Sequence, residues 1–234
     1  MRVPAIFHPR DPRNRYLHLL GWLVAYLLAS AVAAELGGKL WLMDLLFIGV
    51  LVTTLQAVSR TPREFAAAAL VGGLALATAV AALIQPSPHF MIPRLLLGTA
   101  FTGALSIVIL REVLGRSQVD RDTIFGAVCA YFLVGICWSG IYGFVEQVRP
   151  GSLIFPEAAN GQPEAARPEM ILYFSFVTLA TLGYGDILPA VPTTRVLAWL
   201  EAVFGQFYIA VLVARLVGLV QARSGGAGGR RAAP

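Results

Sequence analysis

Residues 178–189 read TLATLGYGDILP, and they interrupt a chain that is otherwise lipid-like. Two glycines flank a tyrosine and an aspartate follows at once, Gly183-Tyr184-Gly185-Asp186. The interior of a membrane-crossing helix does not select these residues, because glycine weakens helices and a charge in hydrocarbon is costly. The stretch therefore reads as non-helical backbone at membrane depth. Such backbone is tolerated only where it is buried in protein or lines a watery path.

The composition around it sets the membrane frame. The 234 residues are 57% hydrophobic and 13% charged, with a mean hydropathy of +0.72. A soluble domain of this size has too little polar surface to cover so much apolar side chain. The apolar runs are long and unbroken, unlike the alternating segments of a membrane β-barrel, so the spans are helical. The formal charge of +5 comes from arginines at the ends of apolar runs. That placement reports topology and excludes a nucleic-acid-binding face. Cys129 and Cys137 fall within one apolar run and read as small buried residues. No His-rich metal set and no Ser–His–Asp constellation appears, so neither enzymatic activity nor an organic cofactor is expected.

Six spans are predicted, near 16–35, 40–59, 64–84, 93–113, 122–146 and 193–220. Arginines concentrate in the lead 1–15, the connector 59–64, the linker 115–121 and a flexible tail 221–234. The positive-inside rule then puts both termini on the cytoplasmic side of the cell membrane. Residues 16–114 form a four-helix peripheral domain and 122–220 a second module. Within that module, 147–167 is a polar loop and 168–180 an apolar helix too short to cross. Pro168 suits the first helical position and Glu169 the first turn. About twelve residues rise roughly 18 Å, halfway through a ~30 Å hydrocarbon core. The negative end of such a helix near the membrane centre favours a cation. The return leg, 181–186, places glycines at alternate positions. Turning successive carbonyls the same way needs alternating backbone conformations, and glycine supplies positive φ at least cost. A row of carbonyls replaces the water shell of a dehydrated cation.

At these residues the chain resembles the potassium-channel family. TLGYGD, 181–186, is similar to the selectivity-filter sequence T-V-G-Y-G-D, with Leu182 in place of valine. The resemblance covers 122–220, and reaches 1–121 only by the number of spans, as in prokaryotic-type six-transmembrane members of the tetrameric voltage-gated-like superfamily. It implies an all-α membrane protein with six transmembrane helices, a re-entrant pore helix 168–180, a filter 181–186, an inner helix 193–220 and a homotetrameric pore, since each chain holds one copy of the motif. K+ would bind at Thr181, Leu182, Gly183 and Tyr184, with Gly185 finishing the outer mouth. Asp186 would be held from behind by Tyr173, and Glu146 would tie the outer helix to the mouth. Many members carry two tryptophans where this chain has Tyr173 and Phe174, and Phe174 has no donor. Gly205 occupies the place of the inner-helix bending point, with plain helix packing as the alternative. The implied partners are K+, further copies of the chain and the lipid bilayer.

The fourth span carries only Arg94 and Arg111, near its two ends. Gating by voltage needs a series of charges in the field, so none is expected from the peripheral domain. Glu201, deep in the sixth span, is predicted to face the pore helix or another subunit, with Gln206 helping to satisfy it. Arg215 is predicted to snorkel to the interface. Two other readings stand beside the potassium channel. One is a weakly selective cation channel, because the shell behind the filter is altered. The other is a multi-pass scaffold without conduction, in which 181–186 is an interfacial loop.

Overall fold

A computed structural model describes residues 15–35, 49, 50, 70–78, 80, 81, 88–116, 120–156 and 167–228. In chain order the named elements are helix α1 (Arg15–Glu35), α2 (Pro88–Gly115), α3 (Arg121–Val148), strand β1 (Leu153–Ile154), α4 (Arg167–Leu179), strand β2 (Leu188–Pro189) and α5 (Pro192–Gly228). Residues 49, 50, 70–78, 80 and 81 are also helical. The rest of the predicted second and third spans lies outside the described residues. Among the described residues, three helices are long and apolar enough to cross a bilayer: Ile92–Gly115, Arg121–Val148 and Pro192–Arg215.

Three features differ from the sequence expectation, two of them helix boundaries. Helix α2 begins at Pro88, not near 93, and takes Pro93 inside it. Pro88 at the first helical position loses nothing by lacking an N–H, and Pro93 forfeits one ladder bond. Helix α5 runs on to Gly228, so its last part replaces a flexible tail from 221. Extending an existing helix through Leu219-Val220-Gln221-Ala222-Arg223 needs no new nucleation. The fold is also not purely helical. The chain after α3 and the chain after 181–186 form an antiparallel pair, Leu153 opposite Pro189 and Ile154 opposite Leu188.

Helix α3 is the hub, with α1, α2, α4 and α5 all packed against it. Its start is set by Asp120, whose side chain accepts the Thr123 amide at 2.7 Å in a capping box. The larger core joins Tyr16, Leu19 and Leu23 of α1, Leu105 and Ile109 of α2, Ala130 and Leu133 of α3, and Tyr208 of α5. Helices α3 and α4 approach across Gly135, where an added Cβ would come 2.7 Å from the Phe176 ring.

Near the α2–α3 connection the charges are paired. Asp122 is 3% exposed, yet its carboxylate receives Arg116 at 3.1 Å and the Tyr16 amide at 3.0 Å. Arg15 and Arg116 both pair with Glu112. Removing one partner from such a set strands a buried charge. Arg215 of α5 donates to the carbonyls of Leu114 and Arg116. It thereby ties α5 to the end of α2, where the sequence predicted a side chain snorkelling to the interface. Because only residues 116–120 separate α2 from α3, α2 lies along the α3 of its own chain.

Candidate ion-conducting site

Helix α4 has 13 residues, about 20 Å at 1.5 Å per residue. It ends in a defined way. The Leu182 amide donates to the Val177 carbonyl at 2.8 Å and the Thr181 amide to the Thr178 carbonyl at 2.9 Å. These are the paired bonds of a Schellman stop, which needs a residue in the left-handed conformation at the position of Thr181. Thr181 has φ +57°. Glycine usually fills that place, and a β-branched residue there stores strain of roughly 1–2 kcal/mol.

The conformation then repeats. Gly183 has φ +61° and Gly185 φ +79°, while Leu182 and Tyr184 between them keep negative φ. Positive φ therefore falls on every second residue from 181 to 185. In the single chain this stretch is open: Leu182 is 57% and Tyr184 68% exposed. The next residue but two, Ile187, is buried and closes a smaller core with Tyr142, Leu153, Ile171 and Phe174.

Two arms hold the stretch at its Asp186 end. From α4, Tyr173 faces the Asp186 carboxylate. Asp186 accepts the Ile187 amide at 3.1 Å. Phe174 turns inward and meets Tyr142 edge-on, with ring centroids 5.0 Å apart, so it packs and donates nothing. From α3, Glu146 is buried and takes three donors: the Gly151 amide at 2.9 Å, the Ser152 hydroxyl at 2.6 Å and the Leu153 amide at 3.0 Å. The Ser152 carbonyl in turn accepts the Ala190 amide and the Thr194 hydroxyl, each at 2.9 Å. The chain of contacts runs from the end of α3 through β1 and β2 to the exit of 181–186. Glu146→Gln places an amide NH2 against donors. It is expected to lower stability by about 1–3 kcal/mol, read as a lower melting temperature of the purified protein.

The Thr181 end meets α5. Gln206 donates to the Thr181 hydroxyl at 2.9 Å, so it serves Thr181 and not Glu201 as predicted. At Gly205 an added Cβ would lie 2.0 Å from the Leu179 carbonyl oxygen, so α5 reaches the last turn of α4 only because this residue is glycine. Glu201 is fully buried and faces α4 and α3. Tyr142 donates to its Oε2 at 2.8 Å, and Ser175 Oγ lies 2.6 Å from its Oε1. Sequence reasoning missed Tyr142, Ser152, Ser175 and Thr194. The available signal was that two deep glutamates, Glu146 and Glu201, need hydroxyl partners on neighbouring elements.

Residues 130–222, which hold most of α3, all of α4 and 181–186, and most of α5, match a family model described as an ion channel. A stretch of 49 residues is 41% identical to two-pore potassium channel 5 of Arabidopsis thaliana. That stretch is 21% of this chain and 12% of that protein's length. No solved structure matches at a significant level. The second half of the chain is thus similar to ion-channel domains, in keeping with its membrane-length helices.

Proposed function

We propose that the chain is one subunit of a homotetrameric, potassium-selective channel, with the carbonyls of Thr181, Leu182, Gly183 and Tyr184 and the Thr181 hydroxyl lining the ion path. The observation that carries this reading is positive φ at Thr181, Gly183 and Gly185 in exposed backbone directly after a half-length helix. Alternation turns successive carbonyls to one side, where they replace the hydration of a cation. Exposed backbone of this kind is not tolerated against lipid. Copies arranged around a common axis remove it from lipid and turn the carbonyls inward. The negative end of α4 adds a favourable field for the ion. The protein sits in the cell membrane with both termini cytoplasmic, and its peripheral helices sense no voltage.

The test is flux. The purified protein in liposomes under a potassium gradient is expected to pass K+ in a barium-sensitive way, with little Na+ passing under a sodium gradient. Equal flux of the two ions moves the assignment to a weakly selective cation channel. The missing donor at Phe174 favours that second reading. Monomeric protein that passes neither ion is the result a scaffold gives.

A further inference from the structure

Glu201 sits where three helices meet, 0% exposed, and so do its two partners, Tyr142 of α3 and Ser175 of α4. The contacts can be read as a hydrogen count. Ser175 Oγ lies 2.8 Å from the Gly135 carbonyl oxygen and 2.6 Å from Glu201 Oε1. A carbonyl oxygen only accepts, and a serine hydroxyl carries one hydrogen. If that hydrogen goes to Gly135, the bond between Ser175 and Glu201 must be donated by Glu201. If it goes to Glu201, two oxygen lone pairs face each other at 2.8 Å between Ser175 and Gly135. Only the first arrangement places a hydrogen in each of the three close contacts: Glu201 Oε1–H to Ser175, Ser175 to Gly135, Tyr142 to Glu201 Oε2.

We infer that Glu201 carries a proton at neutral pH and acts as a neutral positioning residue that joins α4 to α3 and α5 behind the 181–186 stretch. The surroundings agree. The other titratable groups whose field couples to Glu201 are Tyr131 and Cys137 of α3. Ser175 is its partner from α4, and no described cation pairs with it from α3, α4 or its own helix. An unpaired carboxylate at such depth is strongly disfavoured, whereas a carboxylic acid donating one bond and accepting another is not. This inference needs no ion conduction, so its test is independent of the channel reading.

The test is infrared difference spectroscopy on the full-length protein in an ester-free detergent at neutral pH. Wild type minus Glu201→Gln is expected to show a carboxylic-acid C=O stretching band. Ser175→Ala removes the acceptor of the Glu201 proton, so the band is expected to shift in frequency. Glu201→Gln keeps one donor and one acceptor and is expected to melt near the wild-type temperature, with Glu201→Ala well below it. A difference spectrum without the carboxylic band, or a band indifferent to Ser175→Ala, overturns the inference. If Glu201→Gln does not fold, the wild-type minus Ser175→Ala spectrum decides by the same shift.

Discussion

Gly183→Ala is expected to abolish barium-sensitive potassium flux while leaving membrane insertion and the assembled state intact. The reason is conformational. Gly183 has φ +61°, and a Cβ built there meets nothing of its own chain within 4 Å, so the backbone conformation carries the argument. An alanine held in the left-handed region costs roughly 1–2 kcal/mol. In the proposed four-fold ring the cost is incurred once per subunit, roughly 4–8 kcal/mol in all. The stretch relieves it by turning the peptide over, which withdraws a ring of carbonyls from the ion path. A shift of that size reduces the conducting population about a thousandfold or more. Liposome flux and gel filtration measured on the same preparation check both halves. Flux at the wild-type level would refute the role given to 181–185.

Gly205→Ala is expected to destabilise the whole channel module and to lower flux as a consequence. The new Cβ would lie 2.0 Å from the Leu179 carbonyl oxygen and 3.0 Å from its carbon. These are backbone atoms at the Schellman stop of α4 and have no rotamer by which to move aside. Helices α4 and α5 must separate, at a cost of about 1–3 kcal/mol per subunit for overpacking. The separation also stretches the neighbouring bond from Gln206 to Thr181. The melting temperature of the purified protein is the readout. A melting temperature unchanged from wild type, with altered channel opening, is the behaviour of a bending point and would reverse the packing account.

The short helix and the glycine alternation were legible in the sequence because both are local. Pro168 and Glu169 mark the start of α4, and the glycine cluster marks its end, within a residue of the observed Arg167–Leu179. The third positive φ was not legible. Threonine disfavours that conformation by itself, and the helix stop imposes it on Thr181. The partner of Gln206 was misread although helix geometry contained the answer. Five residues turn roughly 140° around an α-helix, so Gln206 leaves on a different side from Glu201. The ribbon of β1 and β2 is two residues on each side, too short to carry an alternation pattern. The contact web of Glu146 joins α3 to a turn and then to β2, and no local signal reports such a link.

The residue that stops α4, Thr181, is also the first member of the alternation. No spacer separates the two, so the helix end sets the phase of everything that follows. An extra residue between Leu179 and Gly183 would move the glycines onto odd beats of a two-beat rhythm. Every carbonyl after it would then face the wrong way, even with the composition of the stretch unchanged. Length here is therefore more tightly constrained than chemistry. Leu182 for valine alters a side chain and keeps the beat, and that is the kind of change such a segment can absorb.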